Sequence, residues 1–374
     1  MLYIGLMSGT SADGIDLALV DFSSLTPKLV ASFYQPYPQA IYQKIVTLYH
    51  PDHNEIDRAF QLNIELAQLF SQAIQAFLTK LKLNPQHIKA IGNHGQTIRH
   101  RPAKTYPFTL QIGCCQTLAT LTGIKVIGQF RQKDMALGGQ GAPLVPAFHR
   151  TLFQHKNSDV FVVNIGGIAN LTFLPAQKHS PILGYDTGPG NALIDDWIKQ
   201  HQQKNYDQNG SWASSGKVNP ELFALLLNDE YFSLPAPKST GREYFNLQWL
   251  HHYLHQSRIK NLALTAEDVQ ATLTSLTAKT IADQVIKLSL QAKIYLCGGG
   301  IYNKFLKNQL KQYLSQKHTN YEILLTNQKG IDADSLEAMA FAWLAFAYDK
   351  KFLSNIPAVT GACKETTLGC AFYP

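Results

Sequence analysis

The segments MSGTSADGIDLALVDF (Met7–Phe22) and VVNIGGIANLTFL (Val162–Leu174) share one pattern: an apolar strand, a polar turn that contains glycine, and a second apolar strand. A strand that runs into a turn of small residues leaves backbone N–H groups unpaired, and such groups can bind an anion. The repetition predicts two related lobes, each beginning with a β-hairpin. Two such turns favour a phosphotransferase that holds a polyphosphate between its lobes.

A third glycine cluster, Gly298–Gly300, follows the predicted strand Lys293–Leu296 and precedes a helical segment from Asn303. Glycine has no Cβ, so a ligand can approach its backbone closely. We therefore expect the base or sugar of a nucleotide near this cluster.

The composition is typical of a globular chain with two domains: 374 residues, 45% hydrophobic and 16% charged, with a formal net charge of +7. Lysine and arginine are scattered, without a basic block or an aromatic-interleaved stripe, so no nucleic-acid partner is expected. No apolar run reaches the ~18 residues of a membrane span, and no signal-peptide pattern is present. Five cysteines without a C-x-x-C pair argue against a disulfide framework and a zinc site, which favours a cytoplasmic protein.

In the first lobe, Glu55–Leu81 carries apolar residues at helical spacing and predicts one long helix packed on a sheet. The next predicted strand, Ile88–Gly92, delivers Asn93–Thr97 at its carboxyl end, where open α/β sheets place their ligand groups. His94 and Gln96 are therefore candidate ligand-binding residues. A histidine after a strand is more often a structural hydrogen-bonding group, so that alternative stays open.

The segment Phe130–Pro143 is polar and rich in glycine, and its three glycines within Gly138–Gly141 exclude a regular element there. It is either a hinge between the lobes or a loop whose backbone approaches a ligand. The charged residues Arg131 and Asp134 favour a combination of the two.

In the second lobe, the predicted strand Ile182–Tyr185 leads into Asp186 and a Gly-Pro-Gly turn. A rigid turn after a strand can hold one carboxylate at the mouth of a cleft, so Asp186 is the candidate general base. The alternative role, an N-cap of the next helix, fits Asn191 better. Residues 200–244 are rich in turn-forming residues and predict a long, mobile surface excursion with one short helix at Pro220–Leu227.

From Thr265 onward, helices and strands alternate, which predicts a parallel or mixed sheet covered by helices. The expected fold class is therefore α/β, with two lobes. We place the first lobe at residues 1–137 with a carboxyl-terminal tail of about 350–374, and the second lobe at residues 138–349.

A set of segments spread almost from end to end gives a closer identification: GLMSGTSADGID, GNHGQT with HRP, FRQKD, GGQGAPLVP, NIGGIANLT, DTGPGN, CGGG and DADSLEAMAFAWLA. In these segments the chain resembles the anhydro-N-acetylmuramic acid kinase family. That family belongs to the actin, hexokinase and heat-shock ATPase superfamily. The resemblance therefore implies two ribonuclease-H-like lobes around an ATP cleft.

The resemblance implies a bacterial cytoplasmic enzyme of cell-wall (peptidoglycan) recycling. Such an enzyme opens the 1,6-anhydro bridge of 1,6-anhydro-N-acetylmuramic acid with water and phosphorylates O6 from ATP, giving N-acetylmuramic acid 6-phosphate. An anhydro sugar has no free hydroxyl at O6, so one carboxylate must activate water. Carried over through DTGPGN, Asp186 takes a proton from that water while O6 attacks the γ-phosphorus.

The same resemblance implies roles for the other candidate residues. His94, Gln96, Arg131 and Glu337 are expected to contact the sugar. For Arg131 the reason is its planar fork, which suits a carboxylate. Without the resemblance, Glu337 is a solvated residue in the first turn of a helix. The residues expected around ATP are Ser8, Gly9, Thr10, Ser11, Asp13, Gly14 and Asp16 in the first lobe and Gly166, Gly167, Gly298, Gly299, Gly300 and Asn303 in the second. The partners implied are a small amino sugar, ATP and a second copy of the chain in a homodimer.

Mg²⁺ is the expected metal, held by Asp13 through water, with Asp16 as the alternative ligand. Two positions depart from the family pattern, which has an aspartate at each: Cys114 and Gln129. Loss of two carboxylates near a cleft would alter metal binding or sugar orientation, or would reflect loop divergence alone. Two alternative functions follow: a catalytically weak, nucleotide-binding regulator of the same fold, and a kinase for an ordinary hydroxyl of a different sugar.

Overall fold

The computed structural model describes residues 1–374 except 25, 103–104, 178–179, 237, 257–258, 260–261, 316–318 and 330. The chain divides into two compact units: Met1–Leu152 with Gly330–Pro374, and Phe153–Lys329. Each unit contains a mixed β-sheet with helices beside it, so the predicted α/β class with two mixed sheets is confirmed. Within the described residues, no helix combines the length and apolar character that a membrane crossing requires.

The strands are, in chain order, β1 (Leu2–Ser8), β2 (Gly14–Asp21), β3 (Lys28–Pro36), β4 (Ile88–Arg101), β5 (Phe108–Ile112), β6 (Val126–Gly128), β7 (Asp159–Ile165), β8 (Ile168–Leu174), β9 (Leu183–Pro189), β10 (Gln291–Cys297), β11 (Asn320–Leu325) and β12 (Cys370–Phe372). The α-helices span Gln39–Thr47, Glu55–Leu81, Cys115–Thr122, Gln132–Ala136, Val145–Phe153, Ala192–Gln202, Pro220–Leu227, Glu230–Ser233, Leu247–Leu254, Ala266–Leu288, Lys304–Leu314, Leu336–Lys350 and Pro357–Thr360.

The two sheets repeat one strand order. The first runs β12-β6-β4-β1-β2-β3, with β5 on β4, and the second runs β11-β10-β7-β8-β9. In both, three antiparallel strands come first in the chain, and the fourth strand then pairs in parallel with the first. Strands β1 and β7 also bury equivalent positions, as expected for central strands of a covered sheet. The predicted pair of hairpins, β1–β2 and β7–β8, is therefore confirmed.

The long helix Glu55–Leu81 has the predicted bounds. From Leu62 onward its apolar stripe is buried in the core of the first unit, together with strands β1, β2 and β4. At its amino end the prediction of burial is wrong, because Ile56 and Phe60 are 74% and 65% exposed.

The helix Leu336–Lys350 packs directly on the first sheet, at two glycines of its central strands. A Cβ on Gly5 would lie 1.7 Å from the carbonyl oxygen of Ala338, and a Cβ on Gly92 would lie 1.9 Å from that of Phe341. This packing is long-range and leaves no local signal. The helix thus belongs to the first unit. Residues 138–152 and 331–349, which the sequence placed in the second lobe, are both part of that unit.

Two strands continue beyond their predicted ends. Strand β4 runs on to Arg101 and pairs with β5, so His94 and Gln96 lie within a strand and not after it. Strand β9 includes Asp186 and ends at Pro189. It lies at the edge of its sheet, where a proline that lacks an N–H is tolerated.

Residues 200–244 are partly packed, which corrects the prediction of a surface excursion. The predicted helix Pro220–Leu227 is present, and a further helix, Glu230–Ser233, follows it. Asp207, Asp229 and Lys238 are only 5%, 7% and 9% exposed, whereas charged residues of a solvated loop would be exposed to water.

Candidate active site

Two buried side chains hold the turn between β1 and β2. The Ser8 hydroxyl donates to Oε1 of Gln96 at 2.5 Å, and Nε2 of Gln96 donates to the carbonyl oxygen of Gly9 at 3.0 Å. Tyr49 donates to the carbonyl oxygen of Thr10 at 2.8 Å. Ser8 and Gln96 are both 0% exposed, and their side chains form hydrogen bonds that hold the turn. The structure thus favours a supporting role for Gln96 over the predicted sugar contact.

Acidic side chains gather beside this turn. Burial, and then the negative charges of Asp13, Glu337 and Asp334 in that order, raise the pKa of Asp16 to about 7. Within the described ranges, no three His, Cys, Asp or Glu side chains form a group that could hold a metal ion. A cation at these carboxylates would therefore need water or phosphate oxygens as further ligands, which is the usual coordination of Mg²⁺.

Arg131 fixes the protonation of His94. Its Nη2 and Nε donate to Nε2 of His94 at 2.9 and 3.3 Å, and its Nη1 donates to the carbonyl oxygen of Gly141 at 2.8 Å. An imidazole nitrogen that accepts hydrogen bonds carries no proton, so Nδ1 carries it. Burial, and then the Arg131 charge, lower the pKa of His94 to about 3, so the ring is neutral at pH 7.

This arrangement revises the role predicted for Arg131. Burial lowers the pKa of the guanidinium against the charges of Glu337 and Asp134, and the pKa that results is about 10, so the group stays charged at pH 7. The fork that was expected to bind a sugar carboxylate is used on His94. Desolvation by the surrounding protein raises the pKa of Glu337, and the charge of Arg131 lowers it. The Glu337 residue is nevertheless exposed to solvent.

The buried carboxylate of Asp134 anchors the glycine-rich segment. Its Oδ2 accepts from the backbone N–H of Gly141 at 2.8 Å, and its Oδ1 accepts from Asn355 Nδ2 and Thr360 Oγ1, each at 2.8 Å. Asp134 therefore has a structural role. It also fixes the Gly141 carbonyl that positions Arg131.

A cavity of about 230 Å³ lies in the first unit, lined by His94, Gln132, Cys114 and Gln129 among others. Among the described residues, Nδ1 of His94 and Oε1 of Gln132 are buried atoms without a hydrogen-bond partner. One is a donor and the other an acceptor. Both residues that carry these unsatisfied atoms line the cavity, and buried polar atoms of this kind are usually hydrogen-bonded.

The two departures from the family pattern both have backbone roles. Cys114 is the N-cap of the helix Cys115–Thr122, and its Sγ accepts from the N–H of Thr117 at 3.5 Å. Gln129 has a φ of 56°, in the left-handed region. Aspartate suits an N-cap and tolerates this region. At each position, aspartate would therefore suit the local backbone conformation without taking part in catalysis.

In the second unit, the NIGG and DTGPGN segments form one structure. The N–H of Asn191 donates to the carbonyl oxygen of Gly166 at 2.7 Å, and the N–H groups of Gly190 and Ala192 donate to that of Gly167 at 2.9 and 3.0 Å. The start of the helix Ala192–Gln202 therefore fixes the turn between β7 and β8.

Asp186 is partly buried in β9, opposite Asn170. Its Oδ2 accepts from Ser239 Oγ at 3.1 Å and from the N–H of Thr240 at 3.0 Å. Burial raises the pKa of Asp186, these two hydrogen bonds lower it, and the charge of Glu243 raises it. A raised pKa in a carboxylate with specific partners is typical of a functional group.

The segment Ser239–Arg242 was missed by the sequence analysis. Arg242 lies beside the second turn: a Cβ on Gly167 would lie 3.4 Å from its Nε. Its side chain is 59% exposed, and its ion pair with Asp196 is long at 3.9 Å. Small polar residues beside a glycine had identified both hairpin turns, and the same signal is present in this segment.

The candidate glycines divide into two kinds. Gly298 has a φ of 78°, and a Cβ on Gly300 would lie 2.3 Å from Ile165, so the fold itself requires glycine at both positions. Among the described residues other than its chain neighbours, the nearest atom to a Cβ on Gly9, Gly166 or Gly299 would lie at 3.4, 3.6 and 3.7 Å respectively. At these three positions the fold leaves room for a ligand to approach the backbone.

Asn303 has a structural role, and its adenosine contact stays a prediction. It is 7% exposed, and its Oδ1 accepts from the N–H of Leu306 at 2.9 Å as the N-cap of the helix Lys304–Leu314. A Cβ on Gly210 would lie 2.1 Å from this Oδ1, so the packing against Asn303 requires glycine at position 210.

The sequence was compared with known families and proteins. Residues 1–374 match the family model described as anhydro-N-acetylmuramic acid kinase. A relative of that name from Colwellia psychrerythraea is 58% identical, with 100% of this chain and 97% of the relative covered. Another from Saccharophagus degradans is 50% identical, with 100% and 99% covered.

Among solved structures, the chain is similar to the activator of the 2-hydroxyisocaproyl-CoA dehydratase from Clostridium difficile with bound ADPNP. The identity is 12% and the TM-score is 0.47, with 94% of this chain and 96% of that chain covered. No functional conclusion follows from a similarity of this size. The family match extends over every residue, and the relatives are covered almost completely. The chain therefore belongs to the anhydro-N-acetylmuramic acid kinase family.

Proposed function

We propose that this protein is an ATP-dependent kinase that opens 1,6-anhydro-N-acetylmuramic acid with water and phosphorylates O6, giving N-acetylmuramic acid 6-phosphate. The family membership supports the substrate. The structural observation that carries the proposal is the Asp186 carboxylate, which is partly buried and held through one oxygen by two donors. A fixed carboxylate of this kind is what activation of water requires.

The reaction balances through one proton transfer. Asp186 takes a proton from water, and the water oxygen bonds to the anomeric carbon. The bond between that carbon and O6 breaks, and O6 attacks the γ-phosphorus of ATP, which releases ADP. The negative charge that develops on O6 is removed by phosphoryl transfer, so no separate acid is needed at O6.

ATP is proposed to lie against the glycines that the fold does not require. Gly9 in the first unit and Gly166 and Gly299 in the second have space where a Cβ would be. Arg242, beside Gly167, supplies a guanidinium that suits phosphate oxygens. We also place Thr10, Ser11 and Gly14 near the phosphates, as the family resemblance implies.

The acidic residues of the first unit fit Mg²⁺. The charges of Asp13, Asp334 and Glu337 all raise the pKa of Asp16, so this region carries negative charge that a divalent cation would offset. We propose Asp13 as the ligand through water, with Asp16 as the alternative. Mg²⁺, when bound, would neutralise negative charge on the phosphates of ATP.

The sugar is proposed to contact His94 and Glu337. Nδ1–H of His94 is a buried donor without a partner among the described residues, and it suits an acyl oxygen of the sugar. Arg131 acts through His94, since it holds the ring with Nδ1 protonated. Gln96 acts through the turn that it supports.

The reaction is tested by incubating the purified protein with Mg-ATP and the anhydro sugar. The proposal predicts ADP release that depends on the sugar, and a product that has gained both water and a phosphoryl group. A product that has gained only the phosphoryl group would identify a kinase for an ordinary hydroxyl. Nucleotide binding without turnover would identify a regulator. A cytoplasmic location and a homodimer stay predictions from the family resemblance.

A further inference from the structure

The loop Lys238–Thr240 contacts Asp186 at three points. The backbone N–H of Asp186 donates to the carbonyl oxygen of Lys238 at 3.0 Å. The carboxylate accepts from the Ser239 hydroxyl at 3.1 Å and from the Thr240 N–H at 3.0 Å. The loop comes from a segment some fifty residues further along the chain, so these contacts are tertiary.

The two carboxylate oxygens of Asp186 are not equivalent. Both donors, Ser239 Oγ and the Thr240 N–H, bind Oδ2. Within the part of the chain that the structure describes, no hydrogen bond to Oδ1 is found. Oδ1 is therefore the oxygen that can accept a proton, while Oδ2 sets the plane and direction of the carboxylate.

The backbone of Asp186 is held from the same side. Strand β9 lies at the edge of its sheet, and none of the strands in the described residues pairs with its outer edge. Two groups bind there: the Lys238 carbonyl oxygen accepts from the Asp186 N–H, and the Tyr231 hydroxyl donates to the Asp186 carbonyl oxygen at 2.8 Å. Main chain and side chain of Asp186 are thus fixed by one neighbouring structure.

That neighbouring structure is itself rigidly anchored. The ammonium of Lys238 donates to the Tyr231 carbonyl oxygen at 2.9 Å and lies 4.5 Å from the centroid of the Tyr231 ring. The Asp229 carboxylate accepts from the Tyr231 N–H at the start of the helix Glu230–Ser233, and from Trp249 Nε1, each at 2.9 Å. Lys238 and Asp229 are both more than 90% buried.

We propose that Ser239 and Thr240 are positioning residues that aim Oδ1 of Asp186 at water and stabilise the carboxylate through their hydrogen bonds to Oδ2. The proposal rests on the function proposed above, because it takes Asp186 to be the general base. The electrostatics support it: hydrogen bonds from Ser239 and Thr240 lower the pKa of Asp186, against burial and the charge of Glu243. Tyr231 also faces Asp186, and burial with the Asp186 charge raises the pKa of that phenol, so it stays a donor.

Ser239→Ala is the variant that tests this role, since the Thr240 N–H belongs to the backbone. Loss of a hydrogen bond to a charged group is expected to lower kcat about tenfold at pH 7. The KM for ATP should be unchanged, because the hydroxyl contacts no nucleotide in this proposal. The acidic limb of the kcat–pH profile should move to higher pH, since the neutral carboxyl is favoured.

Matched variants separate positioning from folding. Ser239→Thr keeps a hydroxyl at an exposed position and should restore kcat and the pH profile. Ser233→Ala removes a hydroxyl that donates to the Glu230 carbonyl oxygen in the same region, and it should change neither. Equal thermal unfolding of all variants would show that each is folded.

A second measurement does not depend on turnover. The Asp186 carboxyl is titrated by ¹³C NMR in protein labelled at aspartate Cγ, with Asp186→Asn used for assignment. A higher pKa in Ser239→Ala than in the wild type supports the proposal, even if the wild type fails to turn over the anhydro sugar. An unchanged carboxyl pKa in folded Ser239→Ala, with an unmoved pH profile, would overturn it.

Discussion

Nη2 of Arg131 lies 2.9 Å from Nε2 of His94, and because arginine can only donate, this contact leaves His94 with its single proton on Nδ1. The pair is therefore an oriented donor: the charged guanidinium selects the tautomer with Nδ1 protonated, and the neutral ring belongs to a residue that lines the cavity of the first unit. A lysine would provide charge without the fork that contacts His94 through two nitrogens.

Arg131→Lys is expected to raise the KM for the anhydro sugar about tenfold, the usual effect of losing a hydrogen bond to a charged group. Steady-state kinetics checks this, with Arg101→Lys as the control, because Arg101 is exposed and its Nη1 donates to a neighbouring carbonyl oxygen. An unchanged KM would show that His94 needs no such support.

The pH profile of kcat/KM for the wild type should also show no limb that comes from ionisation of His94. The pKa of His94 is lowered to about 3, so the ring is neutral at every pH well above that value. Between pH 5 and 8, the profile of kcat/KM should therefore show no ionisation of His94. The ¹⁵N NMR signals of the His94 ring check independently that it does not gain a second proton in this range. Detection of a doubly protonated His94 ring at pH 6 would contradict the proposed tautomer.

Alanine at three glycines should separate ligand contact from folding. Gly9→Ala and Gly166→Ala place a Cβ at ordinary van der Waals distance from its neighbours, so thermal unfolding should stay near that of the wild type while ATP binding weakens. Gly300→Ala forces a Cβ to 2.3 Å from Ile165 and should destabilise the fold by about 1–3 kcal/mol.

Calorimetry with a non-hydrolysable ATP analogue, together with melting curves, would distinguish the two kinds of glycine. Wild-type nucleotide affinity in Gly9→Ala and Gly166→Ala would remove both glycines from the proposed phosphate site.

Asp16→Asn should stabilise the folded protein at pH 8 and have little effect near pH 4. The folded-state pKa of Asp16 is about 7, above the ordinary value of 3.8, so the folded state binds an extra proton between these values. The contribution of Asp16 to the free energy of unfolding therefore falls as pH rises from about 4 to 7, and asparagine avoids this loss.

Melting temperatures of Asp16→Asn and the wild type at both pH values test the charge cluster, and the gain at pH 8 should be about 2–4 °C. Asp57→Asn, on an exposed first turn, is the control and should show no such difference. Equal differences at the two pH values would mean that Asp16 is not under electrostatic strain.

The elements with strong periodicity were predictable from sequence. The bounds of Glu55–Leu81 and Pro220–Leu227 were correct, because an apolar stripe and a proline at the first helical position are local signals. The duplicated hairpins were also local, since each strand and its turn are adjacent in the chain.

What failed depends on tertiary contacts. Gly188 and Pro189 indicated a turn, but they lie in an edge strand, which tolerates them. The helix Leu336–Lys350 joins the first unit through the close approach of Gly5 and Gly92, which no local pattern reveals. The hydrogen bonds from Ser239 and Thr240 to Asp186 join segments about fifty residues apart, so sequence could nominate Asp186 but not its partners.

The central claim is that Asp186 activates water for opening of the anhydro bridge, and Asp186→Asn tests it most directly. With purified wild type and variant, sugar-dependent ADP release is measured beside ATP affinity and product mass. The account predicts that the variant binds ATP as the wild type does and loses turnover by about 10²-fold or more, the usual scale for a general base. It also predicts a wild-type product that has gained both water and a phosphoryl group. Near-normal turnover by Asp186→Asn would contradict the account.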